Sequence, residues 1–311
     1  MTHNNACFSV VIPTHNSAKA LGALLCAVAA QTLRPELVLV VDSDSSDGTR
    51  QCAEEAGARV KSIALNEFDH GNTRTLAGKE TSGEFIVYLT SDALVVEADA
   101  FEKLLCPFND AEVGAVFGRQ IPAPDASLLA AHLREFNYPA VSYVRGYKHR
   151  SPYGIKAPFL SNCFCAYRRS AMDNIGWFRD GLILGEDTYA GAKLLLAGYK
   201  IAYAADAVVR HSHNYSPGQE FRRYFDIGVF HSRDRWILRE FGRAESQGFK
   251  YLLSGIRFLR ANGALDLLPA FFIRALVKYG GYLLGYGYKV LPINILKRLS
   301  MHRAWWGKEK Q

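Results

Sequence analysis

The feature that most constrains this chain is a series of short, largely apolar runs separated by stretches with helical spacing. Residues 8–12 (FSVVI) form the first run, which stops at Pro13. After Asn16, Leu21, Leu24, Leu25 and Val28 recur at i, i+3, i+4 and i+7, one face of a helix. Residues 37–41 (LVLVV) read as a second strand, and Gly48-Thr49 opens a second helix. Residues 59–63 suit a third strand, 72–80 a helix, and 85–89 (FIVYL) a fourth strand. Strands that are apolar on both faces must be covered on both faces. The expected fold class is therefore α/β, a Rossmann-like, mostly parallel central sheet flanked by helices with right-handed crossovers. In such sheets ligands sit at the carboxyl ends of the strands, which singles out the residues after Ile12, Val41 and Leu89.

Beyond the fourth strand the pattern changes. Residues 125–153 read as helical, 164–168 as a strand, and 177–188 as a loop leading into a helix over 189–197. Residues 200–204 and 208–210 read as extended. Helices are expected over 220–241, 249–259 and 265–285. Residues 264–287 are very apolar but interrupted by Asp266, Arg274 and Lys278. No run there reaches the ~18 uncharged residues a spanning helix needs.

Composition narrows the class. Hydrophobic residues make up 49% and charged residues 22%, which excludes wholesale disorder. Six cysteines without a CxxC pair suggest reduced thiols in a cytoplasmic protein. The first ten residues lack the basic-then-apolar pattern of a signal peptide. Charge is uneven: from Gln247 onward eleven Lys and Arg face two acids, a balance of +9, so with +7 for the whole chain the rest is slightly acidic at −2. A basic tail predicts an anionic partner, either membrane or nucleic acid. No recognisable nucleic-acid module accompanies it, so no nucleic-acid partner is expected.

Several polar clusters fall at the predicted strand ends. Asp42-Ser43-Asp44-Ser45-Ser46-Asp47-Gly48-Thr49 suits a polar ligand, and equally an Asx-rich turn with a helix cap. Pro13-Thr14-His15-Asn16 has the same two readings. Thr90-Ser91-Asp92-Ala93 offers one carboxylate, which can hold a divalent ion bridging a diphosphate or simply cap a helix. Glu186 and Asp187 lie in a Gly-flanked stretch. Such a pair is either a solvated surface or a source of a general base for an attacking hydroxyl. His211 and His213, at i and i+2 of an extended chain, can reach one metal or can be structural.

Taken in order, VVIPTHN, VDSDSSDGT, SDA and GEDT resemble the family 2 glycosyltransferases of the GT-A fold, over roughly residues 8–215. A narrower likeness is to bacterial rhamnosyltransferases. It rests on Phe68-Asp69-His70-Gly71-Asn72-Thr73-Arg74, FGRQIP at 117–122, His211 to Ser216, and Arg223-Tyr224-Phe225-Asp226. The resemblance implies a GT-A catalytic domain over residues 1–215 and a helical, basic C-terminal region over 216–311. It implies that Pro13, Thr14, His15, Asp42, Ser43 and Asp44 hold the base and ribose of a nucleotide-sugar. Which of Asp42, Ser43 and Asp44 reads the base stays open, because many relatives carry a second Asp where Ser43 stands. Arg74 and Ser91 would approach the diphosphate. Asp92 matches the last acid of the family's DxD signature, whose first acid is missing here. His211, or failing that His213, would then be the second metal ligand, for Mg2+ or Mn2+. Asp187 matches the general base, with Glu186 orienting it or the acceptor.

The implied activity is inverting, metal-dependent transfer of a sugar to a saccharide acceptor, lipid-linked, in surface polysaccharide synthesis. The implied donor is dTDP-L-rhamnose. The expected place is the cytoplasm, with the basic tail on the inner face of the membrane. Two rival readings are a nucleotidyltransferase acting on sugar phosphates and a non-catalytic sugar-binding module. The first loop, PTHNSAK, lacks the Gly-rich phosphate cradle the former requires, and the retained acids Asp92, Glu186 and Asp187 argue against the latter.

Overall fold

A computed structural model describes residues 6–242 and 245–308. The first half builds the parallel part of one sheet. Strands β1 (Phe8–Thr14), β2 (Leu37–Ser43), β3 (Arg59–Ile63) and β4 (Phe85–Leu89) alternate with helices α1 (Ala18–Ala29), α2 (Thr49–Glu55) and α3 (His70–Lys79). Strand order is β3-β2-β1-β4, all parallel. Leu21, Leu24, Leu25 and Val28 are the buried face of α1, as the spacing predicts. β1 does not stop at Pro13. Its pairing with β4 ends at Val11, whereas pairing with β2 continues through Pro13 opposite Val41 and Thr14 opposite Asp42. On this free flank the missing proline N–H disrupts no second ladder.

The second half makes the sheet mixed. It contains β5 (Leu94–Val95), α4 (Ala100–Leu105), β6 (Val113–Ile121), α5 (Leu128–Asn137), β7 (Tyr143–Arg145) and α6 (Arg150–Tyr153). Then come β8 (Phe164–Arg168), α7 (Arg169–Ile175), α8 (Glu186–Leu196) and β9 (Lys200–Arg210). β8 lies antiparallel between β4 and β6, and β9 pairs parallel with β6. The helical reading of residues 125–153 holds for α5 and for the single turn α6, but not for the stretch between them. Tyr143 to Arg145 form a short strand on β9, where Arg145 is buried and donates to the carbonyls of Lys156 and Phe159. The two extended segments over 200–210 are one strand, with a register shift between Gly118 and Arg119 on its partner. The sheet separates two apolar clusters, one under α1 and α4, the other under α7, α8 and the C-terminal helices.

The C-terminal region is α9 (Pro217–Arg233), α10 (Arg235–Phe241), α11 (Glu245–Ala261), α12 (Leu268–Tyr286), α13 (Ile293–Leu299) and α14 (Trp305–Lys308). α9 and α12 pack backbone to backbone. A Cβ on Gly285 would lie 1.9 Å from the carbonyl oxygen of Phe225, so only glycine allows this approach. Glu220 on α9, 8% exposed, sits 3.2 Å from both Arg274 and Lys278. The two cations of α12 therefore turn inward, and Phe272, Ile273, Leu276, Tyr279 and Leu283 are left exposed. By length and composition Leu265–Tyr286 is apolar enough to cross a membrane, with mean hydropathy 1.3, although the sequence reading divides it at its charges.

Candidate functional site

The carboxyl ends of β1 and β2 meet as the register requires, with Thr14 beside Asp42. Much of the polar loop there is structural. Asp47 Oδ2 accepts the N–H of Ala18 (3.1 Å), Thr49 Oγ1 accepts that of Ser17 (2.8 Å), and Ser45 Oγ accepts that of Asn16 (2.8 Å). These bonds tie the two loops together and satisfy the start of α1. His15 Nδ1 bonds the carbonyl of Ser43 at 2.6 Å and its Nε2 meets Asn16 Nδ2 at 3.0 Å, on an exposed residue. Three atoms are left over. Among the described residues, Thr14 Oγ1, Asp42 Oδ1 and Ser43 Oγ are buried without a hydrogen-bond partner. Buried polar atoms normally have partners, so three together mark where a ligand's polar edge belongs. Asp42 and Ser43 are buried there, whereas Asp44 is exposed, with φ 59°. Pro13 lies half-buried alongside them.

At the end of β4, Ser91 and Asp92 form a tight turn. His211 Nε2 lies 3.3 Å and His213 Nε2 3.9 Å from Asp92 Oδ2. Candidate ligand atoms of all three residues fall within 4.8 Å of one another. His211 is aimed by its other nitrogen, since Nδ1 meets Gln120 Oε1 at 2.9 Å. Gln120 is itself 2% exposed and bonded to Ser161 and Arg134. The His213 ring stacks on Tyr215. A carboxylate with two imidazoles, one braced from behind, fits a divalent cation with open positions for phosphate oxygens. Burial opposes a charge on His211, but Cys163 and the Asp92 carboxylate outweigh it and push its pKa up to about 9. Asp92 is correspondingly held below the carboxylate range, its burial overcome chiefly by the bond to His211. A cation would take the place of that proton.

Glu186 and Asp187 are not in a loop. They form the first turn of α8, capped by Gly185 at φ 83°. The amino end of a helix favours negative charge. Glu186, 6% exposed, receives Asn162 Nδ2 (3.1 Å) and faces Arg74 Nη1 (3.3 Å). Arg74 is buried on α3, where Nη1 also donates to the carbonyl of His70 (2.9 Å) and Nε has no partner among the described residues. Asp187 receives the N–H of Thr188 (2.6 Å) and, more weakly, that of Asn162 (3.4 Å). The two acids are pushed apart. Burial raises both, but Arg74, then His70 and Asn162, bring Glu186 below its ordinary value. Asp187 is raised by burial and by the Glu186 charge. One carboxylate is thus fixed as an anion, and its neighbour is poised to take a proton near neutrality.

The structure brings the three sequence clusters to one rim of the sheet. It also adds two roles that the sequence reading did not assign: Gln120, within FGRQIP, stands behind His211, and Asn162 touches both acids and is itself held by Tyr167 (2.7 Å). Isolated Gln and Asn residues carry no periodicity, so only their contacts reveal them.

Residues 9–176 match the model of the family described as Glycosyl transferase family 2. Over 300 residues the chain is 41% identical to the O-antigen chain rhamnosyltransferase RfbN of Salmonella typhimurium, covering 96% of this chain and 95% of that one. It is 42% identical over 302 residues to the O-antigen chain rhamnosyltransferase WbaN of Salmonella anatum, with the same coverage. Among solved structures, the mannosyltransferase PcManGT of Pyrobaculum calidifontis, in complex with GDP-Man and Mn2+, superposes with a TM-score of 0.59. That match spans 99% of this chain and 90% of the other at 19% identity, and it shows the GT-A fold.

Proposed function

The chain belongs to glycosyl transferase family 2, and from that footing we propose that it transfers L-rhamnose from dTDP-L-rhamnose to a lipid-linked saccharide in O-antigen synthesis. The observation that carries this reading is the split pair at the start of α8, with Glu186 held as an anion by Arg74 and Asp187 held as a base. The full-length similarity to two O-antigen chain rhamnosyltransferases supports the choice of sugar.

The base and ribose of the donor lie against Thr14, Asp42 and Ser43, whose orphaned atoms supply hydrogen bonds, with Pro13, His15 and Asp44 at the edge. Asp92, His211 and His213 hold Mg2+ or Mn2+, and Ser91 and the free Nε of Arg74 serve the diphosphate end. A bound divalent cation supplies positive charge to the leaving diphosphate. The acceptor hydroxyl attacks the anomeric carbon from the face opposite the diphosphate. Its oxygen bonds that carbon as the carbon–oxygen bond to phosphate breaks, and the electron pair leaves with the diphosphate. Asp187 takes the hydroxyl proton, and Glu186 orients the pair through Asn162. A single displacement inverts the anomeric configuration.

The enzyme works on the cytoplasmic face of the membrane. Residues 1–215 act as the catalytic domain, and the C-terminal helices present α12 to the lipid. Phe272, Ile273, Leu276, Tyr279 and Leu283 give that face apolar surface, and exposed Lys289, Lys297 and Arg298 suit anionic headgroups.

The test is product analysis. The chain is incubated with labelled dTDP-L-rhamnose, Mg2+ or Mn2+, and undecaprenyl-diphosphate-linked saccharides. Label entering the lipid phase with an inverted linkage is expected. Equal or better use of UDP- or GDP-sugars would overturn the donor assignment.

A further inference from the structure

His302 belongs to the C-terminal segment, yet it ends against His70 and within electrostatic reach of Glu186. Asp226 on α9 is fully buried, and its Oδ2 accepts the backbone N–H groups of Met301 (2.9 Å) and His302 (3.2 Å). Ser300 Oγ accepts the same His302 N–H at 3.0 Å. Further along, Trp305 Nε1 donates to the carbonyl of Gly181 (3.1 Å), and Lys308 Nζ to that of Phe68 (3.0 Å). The segment is therefore strapped across the two loops that lead into α3 and α8. The His302 ring meets the His70 ring edge-on, with centroids 5.1 Å apart. The carbonyl of His70 takes Arg74, which faces Glu186. Glu186 and the exposed Arg223 act electrostatically on both imidazoles.

We propose that this returning segment builds the acceptor subsite, with His70 and His302 hydrogen-bonding the hydroxyl groups of the acceptor saccharide. The inference rests on the glycosyl-transfer reading above. Both rings are half-buried, so they line a surface rather than fill a core. Neither ring nitrogen pair meets a hydrogen-bond partner among the described residues. Burial holds His70 below the usual histidine range and pushes His302 down to about 4, so both rings are neutral at pH 7. A neutral imidazole offers one N–H and one bare nitrogen, the pairing a sugar hydroxyl needs. The strap also lies outside residues 9–176, the part that matches the family model.

His302→Phe tests this, because it keeps an edge-on ring and removes both nitrogens. The probes are methyl glycosides of galactose, mannose, glucose and rhamnose, with water as the competing acceptor for dTDP-L-rhamnose. The full-length variant is expected to hydrolyse the donor at the unmutated rate. Its kcat/KM toward the best glycoside should fall at least ~10-fold, mostly through KM, as loss of a hydrogen bond to a bound hydroxyl predicts. An unchanged ratio of transfer to hydrolysis overturns the inference. If the unmutated chain consumes no donor, the rhamnosyl reading fails separately. Saturation-transfer NMR of the same glycosides then decides: weaker binding to His302→Phe supports the subsite, and equal binding to both proteins sinks it.

Discussion

Arg74 Nη1 and Glu186 Oε1 lie 3.3 Å apart, and each residue is 6% exposed. A buried pair of this kind adds little net stability, but removal of one partner strands the other charge. Arg74→Met should therefore cost ~3–5 kcal/mol in denaturant unfolding. Arg74→Met with Glu186→Gln should recover much of that loss without recovering transfer. If the single and double variants are equally stable, the two groups are not coupled.

Asp187→Asn should lower kcat by ~10²–10⁴-fold, the usual contribution of a general base, while nucleotide affinity stays within a few-fold. The pH profile carries the same information. Burial and the Glu186 charge raise the pKa of Asp187, so it is protonated, and unable to accept, at higher pH than an ordinary carboxyl. Activity should thus be full above that raised pKa and fall as pH drops through it, well above the ~4 of a free side chain. Near-normal turnover by Asp187→Asn together with its loss in Glu186→Gln would show that the roles are reversed.

The metal cluster makes a graded prediction. Calorimetry of dTDP with and without Mn2+ should show metal-dependent binding that Asp92→Ala and His211→Ala weaken more than His213→Ala, whose nitrogen lies farther from Asp92. Gln120→Leu touches no ligand atom but frees the His211 ring, and it should cost ~10–100-fold in metal affinity. Nucleotide binding indifferent to the metal in the unmutated chain would refute the site.

The outer face of α12 can be tested by flotation. The chain should float with anionic liposomes at low salt, and high salt should weaken that association without abolishing it. The apolar contribution is insensitive to screening, whereas each basic residue near the surface contributes ~1 kcal/mol that is not. Ile273→Glu with Leu276→Glu, at 58% and 69% exposed positions, should remove the salt-resistant part and leave folding intact. Equal flotation of this variant at high salt would place the contact elsewhere.

The parallel half of the sheet could be read from residues 8–89 alone. Strands buried on both faces must be apolar throughout, and helices between them must show one apolar stripe, so burial writes itself into local sequence. The positions of Asp42 and Asp92 followed, because strand ends are local features too, whereas Glu186, read in a loop, proved to open α8. Other properties had no local trace. β7 is a strand because Tyr143 to Arg145 lie against β9, and Asn162 matters only because it reaches both acids. In the sequence Arg274 and Lys278 are only interruptions of an apolar stretch; Glu220 on α9 draws them inward. Glu186 and Asp187 are adjacent, chemically similar acids, and contacts from elsewhere in the chain, Arg74 first among them, separate their proton affinities. Likewise, nothing near His302 in the chain announces that it will meet His70. Periodicity records which side of an element is covered. Which charge faces which, and at what burial, is settled by contacts between residues far apart in the chain.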